Sequence, residues 1–84
     1  MANVGEAVRR ERERLGLSQV ELAVRMGFPR ERQSYVSGVE RGIYIPNTLN
    51  LLKFAEALAV DIQQLVSPLE VGQTEMNEPA RIPT

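Results

Sequence analysis

The stretch SQVELAVRMGFPRERQSYVSGVERG, residues 18–42, decides how the whole chain is read. Its first half carries the punctuation of a short helix. Ser18 suits an N-cap, and Glu21, three places on, can reach back to the cap's own N–H and complete a capping box. Leu17 and Leu22 have the spacing of a hydrophobic staple across that cap. Gly27 follows Met26 where a helix needs a residue tolerant of the left-handed conformation, so the spacing predicts a helix over about 19–26 with Leu22, Ala23 and Met26 inward. Pro29 lacks an N–H donor and begins an extended link or sits at the first position of the next helix. We expect a long turn over residues 27–31 and a second helix over about 32–41, closed by Gly42. Val36 and Val39 supply its core face, while Arg32, Gln33, Ser34, Tyr35 and Ser37 supply a polar one. Two short helices in that order form a helix-turn-helix, and a polar helix front of this kind suits a DNA major groove.

Outward from this centre the chain continues to read as helix. Residues 3–15 place Val4, Ala7, Val8 and Leu15 near one stripe, with Gly16 as the stop. The charge run Arg9 to Arg14 is a solvated face for most of its members. Arg9 and Arg12 stand apart, because either can meet a phosphate or a partner carboxylate. After Pro46, Asn47 can cap a fourth helix to about Leu58 with Leu51, Leu52, Ala55 and Leu58 inward. Asp61 with Gln64 repeats the capping logic for a short fifth helix to about Val66. Residues 67–84 gain proline and acid and lose periodicity, which predicts a short, partly disordered tail behind one domain over 1–66.

Composition narrows the chemistry. The 84 residues include no cysteine and no histidine, so thiolate nucleophiles, thiolate metal sites and the commonest general base are all missing. No G-x-S-x-G or phosphate-loop pattern is present, and the expectation is a non-enzyme without metal or cofactor. No apolar run approaches the ~20 residues of a membrane span, and charges occupy the N-terminal stretch where a signal peptide needs an apolar region; by elimination the chain is expected in the cytoplasm. The net charge is only −1, but it is unevenly placed. Residues 1–42 hold eight arginines against six glutamates, and residues 43–84 hold Lys53 and Arg81 against Glu56, Asp61, Glu70, Glu75 and Glu78. A basic face opposite an acidic end is compatible with DNA, since phosphates respond to the local field.

Ser18-Gln19, Leu22-Ala23, Gly27, the SYVSGVERG segment of residues 34–42 and Pro46 together resemble the Cro/C1-type (XRE) helix-turn-helix family. That family includes phage repressors and the controller proteins of restriction–modification operons, and the resemblance spans about residues 4–66. It implies an all-α, five-helix, lambda-repressor-like domain that binds double-stranded operator DNA as a homodimer and reads bases with its third helix. Position by position, it implies base contacts from Arg32, Gln33, Ser34 and Ser37. Backbone contacts are implied for Gln19, Arg9, Arg30 and Tyr35, although Gln19 also suits plain solvent exposure and Tyr35 a partly packed ring. The resemblance pairs Arg12 with Glu40 and, for the apolar surface of Ile62, Leu65 and Val66, favours a two-fold dimer seam over ordinary core packing. Three departures stand out: the interval from Gly27 to Gly42 is three residues longer than usual, Gly38 replaces a long polar side chain, and Ile43-Tyr44-Ile45 replace basic residues. The extra residues either enlarge the turn or start the reading helix a turn early. A second functional reading is an antitoxin-like or adaptor module whose protein partner is bound by the tail.

Overall fold

The computed structural model describes residues 3–66. The expected tail over residues 67–84, with the partner-binding role assigned to it, lies outside them. Among the described residues four α-helices run in order: α1 (Val4–Arg14), α2 (Gln19–Arg25), α3 (Gln33–Glu40) and α4 (Thr48–Leu58). Single 3-10 turns, Arg30–Arg32 and Ile62–Gln64, precede α3 and follow α4.

Local chemistry sets most boundaries. Asn3 and Asn47 accept the Glu6 and Asn50 backbone N–H at the starts of α1 and α4, at 2.9 and 2.8 Å. Ser18 and Glu21 form the reciprocal capping box at 3.0 and 2.7 Å. Gly27 adopts φ +88, the left-handed conformation that ends α2 without a Cβ clash.

Three expectations need correction. The fifth helix is a single 3-10 turn over Ile62–Gln64, although its Asp61/Gln64 capping box is formed. The enlarged turn over 27–31 is shorter, because Arg30–Arg32 wind into a 3-10 turn that runs directly into α3. Pro29, extended at φ −67 and ψ 160, leads into it. Three residues thus enter a helical path before α3 begins, in its tighter form. Finally, Leu52 points outward at 46% exposure, and Phe54 takes the core position at 0%.

The core joins Ala7 and Val8 of α1, Leu22 and Ala23 of α2, Val36 and Val39 of α3, Phe54, Ala55 and Leu58 of α4, and Leu65. Each fully buried large side chain among them stabilises the fold by about 1.5–3 kcal/mol relative to exposure. Gly5 lets α1 approach closely: a Cβ there would lie 2.2 Å from the Val39 carbonyl oxygen, at the end of α3. The result is a rigid seat for α3, held from both sides. No helix among the described residues is long and apolar enough to cross a membrane.

Candidate nucleic-acid interface

One side of α3 is held by a polar chain crossing three helices. The Arg12 guanidinium grips Glu40 through two bonds, Nε to Oε2 at 2.6 Å and Nη2 to Oε1 at 3.1 Å, and its Nη1 donates to the Leu17 carbonyl at 2.8 Å. This is the pairing that the family resemblance implied. Side-chain exposure is 12% for Arg12 and 3% for Glu40, so the pair is nearly desolvated. The hydrogen bond to Glu40 outweighs burial and holds the Arg12 pKa above its ordinary value. Glu40 Oε1 also accepts Gln19 Nε2 at 3.1 Å, and Gln19 Oε1 accepts Gln33 Nε2 at 2.7 Å. Gln33 is the first residue of α3, so the chain ends at the helix front.

The other side of α3 is held by aromatic packing. The Tyr35 ring stacks between Tyr44 at 5.8 Å and Phe54 at 6.3 Å, and meets Phe28 edge-on at 6.1 Å. Asn50 Nδ2 donates to the Tyr35 hydroxyl at 3.0 Å. The packed-ring alternative for Tyr35 thus describes its ring faces. Arg32 lies over the Phe28 and Tyr35 rings, 5.0 and 5.4 Å from their centroids, and Lys53 lies over Phe28 at 4.9 Å. Gly38 makes room for Tyr44: a Cβ there would lie 2.3 Å from its ring. That explains a glycine inside α3, and neither DNA nor backbone is needed to account for it.

The remaining expected contact residues are spread around these two supports. Ser34 is exposed and its hydroxyl bonds back to the Glu31 carbonyl at 3.3 Å, while Ser37 is half-buried. Arg30 is exposed beside an open groove shared with Leu17, Val20, Glu21, Val24 and Arg25. Arg9 pairs with Glu13 at 3.1 Å on the outer face of α1, and Glu13 in turn lies 3.9 Å from Arg12. Sequence reasoning missed Lys53 and Asn50, which α4 brings to the aromatic side; nothing local to NTLNLLKF marks them.

The expected seam is changed by burial. Leu65 is 1% exposed and completes the chain's own core, so it offers nothing to a second molecule; Ile62 and Val66 are half-buried. Exposed apolar side chains lie elsewhere, on α2 at Val24, after α3 at Ile43, Tyr44 and Ile45, and on α4 at Leu49 and Leu52, with Ile45 the most exposed at 89%.

The architecture is that of a helix-turn-helix domain, α2 and α3 forming the motif and α1 and α4 its support. Residues 8–65 match the helix-turn-helix family, and the chain belongs to it. An uncharacterized HTH-type transcriptional regulator of Sinorhizobium fredii is 39% identical over 67 residues, covering 80% of this chain and 83% of the relative. The crystal structure of the restriction-modification controller protein C.AhdI from Aeromonas hydrophila is similar with a TM-score of 0.67 at 42% identity, over 74% of this chain and 89% of that one. The P22 c2 repressor, crystallised in complex with a synthetic operator, is similar with a TM-score of 0.71 at 28% identity, over 80% and 97%.

Proposed function

We propose that this chain is a sequence-specific regulator of transcription that binds double-stranded operator DNA as a homodimer, with α3 in the major groove. The observation that carries this reading is the free amide edge of Gln33. One Nε2 hydrogen goes to Gln19; among the described residues nothing engages the other hydrogen or the Oε1. A donor and an acceptor side by side at a helix front match the N7 and N6 edge of adenine. Gln19 likewise keeps one N–H beyond its bond to Glu40, at the first turn of α2, where a phosphate would meet it. Ser34, Ser37 and Arg32 flank Gln33 as further base contacts, with Arg9, Arg30 and the Tyr35 hydroxyl as phosphate contacts. The similarity to an operator-bound repressor and to a restriction-modification controller protein supports the DNA-binding regulator reading.

For the second copy we assign the outward face of α4 with Ile45. Leu49 and Leu52 form a charge-poor stripe there: of the two charges on α4, Lys53 turns toward Phe28 and only Glu56 borders the stripe. Depletion of charge around exposed apolar side chains is what an interface centre looks like, and a self-complementary face closes a two-fold dimer.

Selection of bound sequences from a random duplex library tests both parts. The expected result is a two-fold repeat with half-sites about 34 Å apart, and Gln33→Ala should lose preference at one position per half-site by about 1–3 kcal/mol. Uniform weak binding to all sequences would reject the regulator reading. Leu52→Asp should yield monomers with weak operator binding; unchanged dimers would move the interface off α4.

A further inference from the structure

We infer that Glu40, which never reaches the surface of α3, sets which way round the Gln33 amide is presented and thereby which purine it selects. The inference rests on the reading of Gln33 as the base-contacting residue and deepens it.

The argument follows donors and acceptors. A carboxylate only accepts hydrogen bonds. Glu40 Oε1 and Oε2 already take two N–H groups from Arg12, so Gln19 must turn its NH2 toward Glu40. Its Oε1 then faces Gln33, and Gln33 must answer with Nε2, at 2.7 Å. Each amide along the chain is thus oriented by the one before it, and the sense of the whole chain originates at the charge. Its outcome is an outward edge on Gln33 with one free N–H beside a free Oε1, complementary to adenine. The anchor is rigid, since Glu40 is 3% exposed and bonded to a guanidinium that also holds the Leu17 carbonyl. Glu40 is therefore a positioning residue, acting on DNA through Gln19 and Gln33.

Glu40→Gln reverses the logic with almost no change of shape. Arg12 has only donors, and its shorter bond, Nε to Oε2, would keep the carbonyl of the new amide; the NH2 would then take the Oε1 place facing Gln19, with Arg12 Nη2 giving up its longer bond there. Gln19 would flip to offer Oε1 there and NH2 to Gln33, and Gln33 would turn its own Oε1 inward. Its outward edge would then present N–H groups, which suit the two acceptors, N7 and O6, of guanine.

The test compares base preference for the full-length wild type, Glu40→Gln and Gln19→Leu at the position whose preference vanishes in Gln33→Ala. Wild type should prefer adenine, and Glu40→Gln should move that one position toward guanine by roughly 5–150-fold. A uniform loss of affinity with adenine still preferred would show a purely structural Glu40 and overturn the inference. Because Glu40→Gln leaves Arg12 only the more distant, exposed Glu13 as a charged partner, Gln19→Leu serves if that variant fails to fold: it keeps the Arg12–Glu40 pair and should flatten the adenine preference. An unflattened preference there overturns the inference too. Side-chain amide NMR of the free protein separates this from the regulator reading. Gln33 should show one protected Nε2 proton that loses protection in Gln19→Leu; equal exchange of both protons in wild type would remove the relay whether or not DNA is bound.

Discussion

The two flanks of α3 hold the same helix by opposite physics. On one flank Arg12, Glu40, Gln19 and Gln33 form a directional chain, each bond fixing the orientation of the next group. On the other flank Phe28, Tyr35, Tyr44 and Phe54 meet through ring faces and edges, contacts that carry no donor-to-acceptor sense along the chain. The difference teaches where precision is spent. The side that ends at the helix front is polar and nearly dry at its Arg12–Glu40 root, so an error in one residue reaches Gln33. The aromatic side takes in Arg32 of the 3-10 turn over the Phe28 and Tyr35 rings, and its outermost ring, Tyr44, is half exposed and can adjust.

The largest effect should come from breaking the polar flank at its root. Arg12→Met fills the space but leaves the Glu40 carboxylate 97% buried without its ion partner. The expected loss is about 3–5 kcal/mol in chemical denaturation. A double variant Arg12→Met with Glu40→Met should recover much of it, since a pair of this kind is worth far less than one of its orphaned halves. A double variant as unstable as the single would show that the pair contributes stability directly.

Next in size is Gly5→Ala. The obstacle to a Cβ at Gly5 is backbone, the carbonyl oxygens of Val39 and Glu40, which cannot rotate away. Forcing α1 from the end of α3 should cost about 1–3 kcal/mol by overpacking, despite the better helix propensity of alanine. A neutral or stabilising result in thermal melts would mean that α1 is free to slide.

Acid should act more gently, through Glu11 of α1. Its carboxylate is bracketed by Arg14 Nε at 2.7 Å and Arg10 Nε at 3.4 Å. The hydrogen bond from Arg14 lowers its pKa below the ordinary value, against the opposing effect of burial. A lowered folded pKa means that this contribution is complete above the unfolded value and is lost as pH falls through the folded one. Glu11→Gln should therefore flatten part of the acid limb of the stability curve, measured by denaturation between neutral and acidic pH. Parallel limbs for the two proteins would remove Glu11 from the account.

The frame of the helices was legible and the aromatic flank was not, for a physical reason. Caps, staples and glycine stops are local, so Ser18 with Glu21, Gly27 and the core face Leu22-Ala23-Met26 follow from spacing. The Arg12–Glu40 pair is distant in sequence, and came into view through resemblance, not periodicity. By contrast, Leu51, Leu52 and Phe54 lie too close together for periodicity to choose two of three. What turns Leu52 out is the packing of Phe54 against Tyr35, a contact across 19 positions. Leu65 looked surplus for the same reason: a short turn has no inward face until the rest of the core defines one. The outward edge of Gln33 needed hydrogen-bond direction, which residue type alone does not carry.

The smallest effect, and the sharpest contrast with Gly5, is expected at Gly38. A Cβ there also meets an atom at an impossible distance, 2.3 Å, but that atom belongs to the Tyr44 ring, a side chain that is half exposed and free to swing out. Losing the stack of Tyr44 on Tyr35 should cost about 0.5–1.5 kcal/mol. Replacing a mid-helix glycine by alanine returns about 1 kcal/mol in propensity. Gly38→Ala should thus be nearly neutral in stability while the combined tyrosine fluorescence of Tyr35 and Tyr44 changes as the Tyr44 ring leaves its stack. If Gly38→Ala instead destabilises as much as Gly5→Ala, the aromatic flank is as unforgiving as the polar one, and the distinction between an adjustable and a directional support of α3 fails.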